Sequence, residues 1–295
     1  MKEREKILIV GGNGYVGSNI ARSLAPDYHV IATYQRKYTP IPGVEFLRAV
    51  SLDDKDHAKA LILRHDPKVV IVCTGTNDVN WADYDKNLRQ VQISHSAVPM
   101  ELTPPTDTLK AKFIYISSDY AFAGSDGNYE EDGKTLAVSN LGKSKVSTEN
   151  FVINRSVNHI ILRCAPLIGR GPMDHPSWID QLRESLFCGR TVSFTKKSYH
   201  NPVHISFLTR VIQECLKHDL KNQIFHIGGL SKVSMFECAQ ILAASLDLDY
   251  TKIDSSDQLP QSLINDYSIN LNQTLRALKL EPLSLQDSLE LMKKT

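Results

Sequence analysis

The chain has 295 residues, of which 42% are hydrophobic, and carries 34 basic and 33 acidic side chains for a formal net charge of +1. That length suits one large α/β domain or two modest ones with ample core. The balanced, well-mixed charge argues against a polyanion-binding surface, and so against nucleic acid as a partner. No apolar run reaches the roughly 18 residues that a membrane span needs, so a cytoplasmic protein is expected.

The N-terminal stretch MKEREKILIVGG mixes an acidic residue with its basic ones. It reads as a first strand, Lys6–Val10, rather than as a secretory signal. The next segment, VGGNGYVGSNIA, satisfies two spacings together: Gly11-x-x-Gly14-x-x-Gly17 and Gly12-x-Gly14-x-x-Gly17. One glycine permits the tight turn off the strand. Another lets bare backbone approach a pyrophosphate, and the last lets helix and strand pack closely. The amides that open the following helix, Tyr15–Leu24, attract phosphate charge. A dinucleotide is therefore expected on Gly11, Gly14, Tyr15, Val16 and Gly17.

The second strand, His29–Thr33, is followed by Tyr34, Gln35, Arg36 and Lys37. NAD sites usually place an acid here to hold the ribose hydroxyls. The chain has none and offers two cations instead. The fork of Arg36 suits a 2′-phosphate, so Arg36 and Lys37 point to NADP in preference to NAD.

A helix over Asp53–His65, a strand over Val69–Cys73, a helix over Tyr84–Ser96 and a strand over Phe113–Ser117 come next. A helix over Leu141–Asn154 and a strand over His159–Arg163 follow. The strands are nearly continuous in apolarity, as in a parallel sheet buried on both faces. The alternation of strand and helix predicts an α/β doubly wound, Rossmann-like sheet.

After Arg163 the texture changes to the proline- and glycine-bearing loop APLIGRGPMDHPSW. A helix over Trp178–Phe187, a strand over Thr191–Phe194, a helix over Phe207–His218 and a strand over Gln223–Ile227 are expected. Ser234 and Glu237 form a capping box that opens a helix to Leu246. Helices near Leu271–Leu278 and Ser284–Lys293 end the chain. The expected division is a dinucleotide-binding domain over 1–163 and a smaller C-terminal substrate lobe over 164–295, with a return to the sheet near 223–227. The five cysteines include no CxxC and the ten histidines no HExxH. Reduced, structural cysteines and no metal site are expected.

With these features in place, the sequence resembles the extended short-chain dehydrogenase/reductase family, and within it the dTDP-4-dehydrorhamnose reductase group. The likeness rests on the glycine turn, Cys73-Thr74-Gly75-Thr76, ISSDYAFAGSDGNYEED (Ile116–Asp132), the GKSK run, ILRCAPLIG and NPVH (Asn201–His204). It also extends to the regulatory β subunit of methionine adenosyltransferase. The resemblance implies a nicotinamide cofactor that also meets Cys73, Thr74, Gly75 and Lys145, and a nucleotide-sugar or other small carbonyl substrate. Ser118 matches the residue that holds the substrate carbonyl. Lys145 matches the lysine that binds the nicotinamide ribose. Gln92 is the nearest match to a supporting asparagine. The proton-handling tyrosine of the family falls on Leu141, four residues before Lys145 and on the same helix face. Tyr120, Tyr129 or a water is left as the alternative acid. Arg163 and Asn201, with Arg170, Tyr199 and His204, fall where sugar contacts are expected. Two functions stay open: a 4-keto nucleotide-sugar reductase, or a non-catalytic NADP-binding regulatory subunit. A homodimer or a partner protein stays open as well.

Overall fold

The computed structural model describes residues 4–76, 78–256 and 266–294. Strands β1 (Lys6–Val10), β2 (His29–Tyr34), β3 (Val44–Arg48), β4 (Val69–Val72), β5 (Lys112–Ser118) and β6 (His159–Cys164) join Gln223–Ile227 in one seven-stranded sheet. Across the sheet the order is Gln223–Ile227, β6, β5, β4, β1, β2, β3. Every neighbouring pair is parallel.

Side chains alternate across a strand, so each apolar run feeds two cores. Ile7, Ile9, Ile71, Ile114 and Ile160 meet Ile20 and Leu24 of helix α1 (Tyr15–Leu24) on one face. Leu8, Val10, Val70, Val72, Phe113 and Tyr115 meet Leu61 and Ile62 of helix α2 (Lys55–His65) on the other. The α/β doubly wound reading of the sequence is the observed architecture.

Six of the seven strands lie within a residue or so of their predicted bounds. Strand β3 was not anticipated. It is the sheet edge, none of its residues is fully buried, and VEFLR lacks the long apolar run that marks the others. The helix expected over Tyr84–Ser96 is broken. Val79–Ala82 is a short helix and Asp85–Asn87 a 3₁₀ turn. Leu88–Gln92 is α, Ile93–Ala97 is π and Val98–Thr108 is α again. The last segment runs through Pro99, Pro104 and Pro105, where proline would ordinarily end a helix. Thr103 and Thr106 bond back to the carbonyls of Pro99 and Leu102 at 2.8 and 2.7 Å. Val98 and Leu102 are buried against the sheet, and that burial outweighs the break.

Beyond β6 the chain forms short two-stranded pairs: Leu167–Ile168 with Val203–His204, Tyr199–His200 with Val233–Ser234, and Val192–Phe194 with Ile253–Ser255. Helix Ile205–Lys217 returns to the sheet, where Leu208, Val211 and Ile212 share a core with Ile20 and Leu24. The capping box at Ser234 is present. Glu237 N donates to Ser234 Oγ at 3.1 Å and Ser234 N to Glu237 Oε2 at 2.8 Å. Residues 257–265, within the expected terminal lobe, lie outside the described residues. Among the described residues, no helix is long and apolar enough to cross a membrane.

Two residues expected at the sugar site belong to the framework instead. Arg163 is 3% exposed. Its Nε and Nη2 engage Glu149 of helix Asn140–Arg155 at 2.8–3.2 Å, and Nη1 donates to the Glu131 carbonyl at 2.9 Å. Its guanidinium also lies over the Phe122 ring. Asn201 is likewise buried. Its amide donates to the Gly229 carbonyl at 3.1 Å, and its Oδ1 accepts from Ile269 N at 2.9 Å. A buried charge needs a partner and a buried amide needs its bonds, and these two find theirs inside the protein.

Removing one member of a buried ion pair strands the other. Arg163→Ala is therefore expected to lower the unfolding free energy by about 3–5 kcal/mol, read from urea denaturation. Arg163→Met paired with Glu149→Leu should lose less than Arg163→Met alone. The reverse order would remove the pair from the account of what fixes this helix to the sheet.

Candidate functional site

The strand order reverses direction between β1 and β4, and the crevice above their carboxyl ends is the place where an open parallel sheet can admit a ligand. Both walls are built by turns the sequence singled out. Gly11 has φ +82°. A Cβ on Gly17 would lie 2.3 Å from the Gly11 carbonyl oxygen, and one on Gly12 2.5 Å from Cβ of Ala32. Both glycines therefore exist for close packing. Gly14 meets only the Gly11 carbonyl, at 3.3 Å, and stands at the cavity wall. It is also the N-cap of α1 and supplies no capping side chain. The first amides of a helix have no intrahelical acceptor, so they face the cavity with the positive end of the helix dipole.

Gly14, Tyr15, Val16, Cys73, Thr74 and Gly75 line one cavity of about 970 Å³ together with Ser118, Tyr120 and Lys145. Those nine sequence-predicted residues are thus brought together. Its far wall comes from the chain beyond β6: Trp178, Gln181, Ser185, Phe194 and Thr195. Arg36 and Lys37 are exposed just past the end of β2, and Lys37 is tied to the turn by its carbonyl, which accepts from Asn13 Nδ2 at 3.0 Å. Asn13 also reaches His175 at 2.7 Å, so the loop after β6 lies across the glycine turn.

Lys145 is buried on helix Asn140–Arg155. Its Nζ donates to the Ile116 carbonyl at 2.8 Å and sits 5.0 Å from the Tyr115 ring centre. Burial lowers its pKa to about 8, against the opposing pull of Cys164, Cys73 and Glu149. Ser118 Oγ donates to Asp119 Oδ1 at 2.9 Å and accepts from Tyr120 N at 3.3 Å. Leu141 does not reach the cavity. It is fully buried in an apolar cluster with Val79, Ala82, Val91 and Tyr267, against which Trp81 and Tyr120 pack. Gly142 lets the helix approach this closely, since a Cβ there would lie 2.1 Å from the Tyr120 carbonyl oxygen.

Gln92 is exposed and takes no part. One turn on, His95 sits in the π segment beside the cavity. A Cβ on Gly75 would fall 2.1 Å from its ring, and its Nε2 accepts from Thr76 N at 3.2 Å. Burial and the Lys145 charge drive its pKa down to about 2, so it is a neutral acceptor that fixes the turn after β4. The π-helical register, recurrent at functional sites, lets the His95 carbonyl accept from both Tyr115 Oη and Thr148 Oγ1. Periodicity gave no signal for it.

A second group was also missed. Asp119 is buried and meets His200 Nδ1 at 2.6 Å, while His200 Nε2 meets Ser198 Oγ at 2.8 Å. Ser198 and Tyr120 share the cavity wall, and Ser198 partly offsets the rise in the Tyr120 pKa. Tyr199 and His204 remain outside the cavity wall. Tyr199 lies under Lys232, and His204 caps helix Ile205–Lys217 through Ser206. Arg170 contributes its carbonyl to Asn19. Tyr129 stacks on Phe122 and meets the Ser125–Asp126 turn.

Bare turn backbone, open helix amides, an unpartnered Tyr15 hydroxyl and a buried cationic Lys145 make a fit for a phosphorylated, nicotinamide-type dinucleotide. The family model described as RmlD substrate binding domain matches residues 5–277. A probable low-salt glycan biosynthesis reductase, Agl14, of Haloferax volcanii is 25% identical over 254 residues, covering 84% of this chain and 82% of that protein. Methionine adenosyltransferase 2 subunit beta of Rattus norvegicus is 22% identical over 261 residues, covering 82% and 72%. The crystal structure of dTDP-4-dehydrorhamnose reductase from Bacillus anthracis in complex with NADP superposes with a TM-score of 0.84 at 18% identity, covering 99% of each chain.

Lys145 makes a pH test possible. Its folded pKa, about 8, lies below the unfolded value, near 10.4. The unfolded chain therefore binds more protons between those values, and stability rises with pH there. Lys145→Met lacks this titration. Its stability relative to the parent should be highest below pH 8 and fall by on the order of 3 kcal/mol towards pH 10.5. Parallel urea curves across that window would contradict the buried amine.

Proposed function

The chain belongs to the RmlD substrate binding domain family, among the extended short-chain dehydrogenase/reductases, and from that membership we propose that it is an NADP(H)-dependent reductase of a 4-keto nucleotide sugar. The observation that carries the reading is the single cavity shared by the glycine turn, Ser118, Tyr120 and Lys145. The relatives named as reductases support the reaction class. Its volume, about 970 Å³, lies at the upper end of the range for small-molecule sites, as two ligands side by side require.

The diphosphate is held by the amides of Gly14–Val16 and the α1 dipole. Arg36 and Lys37, with no acid after β2, favour the 2′-phosphate of NADP. The NADP complex of the Bacillus anthracis reductase supports the same choice. When bound, the reduced nicotinamide supplies hydride. Lys145 holds a ribose hydroxyl and places positive charge under the site. Ser118 turns its hydroxyl from Asp119 to the substrate carbonyl. Tyr120 supplies the proton that Leu141 cannot. A placed acid of this kind contributes roughly 10²–10⁴ in rate.

A second reading is a regulatory subunit that binds NADP without turning a sugar over. Two observations favour it: Leu141 is sealed in an apolar cluster, and the chain is similar to methionine adenosyltransferase 2 subunit beta.

The reductase reading predicts that the purified chain oxidises NADPH when given dTDP-4-dehydrorhamnose, followed by the loss of reduced-cofactor absorbance. Tyr120→Phe should then lower kcat about 10²-fold or more with NADPH affinity intact. Tight NADPH binding without turnover of any 4-keto nucleotide sugar would select the regulatory reading. For the cofactor, Arg36→Asp is expected to weaken NADPH by at least about tenfold while leaving NADH nearly unchanged, since one bidentate charge-assisted contact is lost. Equal losses by calorimetry would contradict the assignment.

A further inference from the structure

The buried group around His200 has no part in the reading so far, beyond its link to Tyr120. Asp119 and His200 stand 81 positions apart in the chain, yet His200 Nδ1 lies 2.6 Å from Asp119 Oδ2. Ser198 Oγ completes the line 2.8 Å from His200 Nε2. All three are at most 3% exposed, while Asp119, Ser198 and Tyr120 all border the cavity. His200 is clamped between aromatic rings: Tyr267 stacks on it at 5.4 Å and 13°, and Tyr120 meets it edge-on at 5.5 Å.

Such a row is more than packing requires. A buried hydroxyl needs one partner, but this one meets an imidazole whose other nitrogen is fixed on a carboxylate, and it shares the cavity wall with the Tyr120 phenol. Tyr120 needs that help. Burial, and then the nearby Asp119, Tyr267 and Asp78, raise its pKa well above the ordinary range. A phenol in that setting surrenders its proton only if another arrives as it leaves.

Resting on the reductase reading, we propose that Ser198, His200 and Asp119 form a proton relay that recharges Tyr120 during carbonyl reduction. When a bound reduced nicotinamide supplies hydride to the carbonyl carbon, the carbonyl π electron pair passes to oxygen. That oxygen takes the Tyr120 proton as the phenol O–H bond breaks. The phenolate takes the Ser198 hydroxyl proton, and Ser198 takes the Nε2 proton of a doubly protonated His200. His200 ends neutral, its Nδ1–H still donating to Asp119. Water entering the vacated cavity returns the proton along the same line.

The titratable groups facing His200 are Asp119, Tyr120 and Tyr267. Asp78 acts on Tyr120, and Asp83 and Tyr129 act on Tyr267.

The experiment measures kcat, KM and pH dependence with NADPH and dTDP-4-dehydrorhamnose for the parent, His200→Gln, Ser198→Ala and Ser198→Thr. Both His200→Gln and Ser198→Ala should lower kcat by roughly 10–100-fold with KM and NADPH affinity held. Ser198→Thr, which keeps the hydroxyl, should recover most of the rate. Independently of turnover, proton NMR of the unliganded chain should show a resonance far downfield of the amides from His200 Nδ1–H. It should vanish in His200→Gln and in Asp119→Asn, and shift in Ser198→Ala. Turnover that these substitutions leave unaltered, or a parent without the downfield resonance, overturns the relay alone. A parent that binds NADPH and turns nothing over overturns the reductase reading and the relay with it.

Discussion

A parallel sheet buried on both faces must cross over with helices on each side, so the crossing direction has to reverse somewhere along it. Here that place lies between β1 and β4. The crevice it leaves is bordered by two backbone turns, Gly11–Gly17 and Cys73–Thr76, and everything that bears on function is arranged around it. The glycines are constrained by packing before they are constrained by any ligand. With a Cβ on Gly17 only 2.3 Å from the Gly11 carbonyl, any larger residue would push α1 off its strand and carry the open amides away from the crevice.

Buried polar groups tie the other elements to that crevice. Arg163 and Glu149 join helix Asn140–Arg155 to β6, with Ser117 also bonded to Glu149. Lys145 on the same helix is thereby set under the cavity. Asp119 and His200 do the same for the chain beyond β6, drawing Tyr199–His200 against the end of β5. Between these two polar systems lies the apolar cluster of Leu141, Val91 and Tyr267. Leu141 is thus sealed in apolar packing, while Tyr120 stands at the cavity wall.

Much of this was legible in sequence order. Strands β1, β4, β5 and β6 announced themselves because burial on both faces demands unbroken apolarity. The glycine turn was legible because its spacing answers three separate steric needs. The failures have physical causes. Strand β3 is a half-exposed edge and carries no such run. Beyond Ser96 the helix continues through prolines that argue locally against it, because Val98 and Leu102 gain more from core burial than the prolines lose. The family resemblance puts Arg163 and Asn201 where a sugar is expected. Each instead satisfies a partner distant in sequence, Glu131 for one and Ile269 for the other.

The sequence by itself determined the sheet, its cofactor-shaped turn, and the presence of Ser118 and Lys145 on one scaffold. Those depend on local periodicity and on spacing within a few residues. Only the tertiary structure decided which polar groups face the cavity and which lock the framework. It alone placed His95 behind Gly75 and drew Asp119, Ser198 and His200 into line with Tyr120. A side chain's hydrogen-bond partner is fixed by how distant segments dock, and nothing in the order of residues along the chain records that distance.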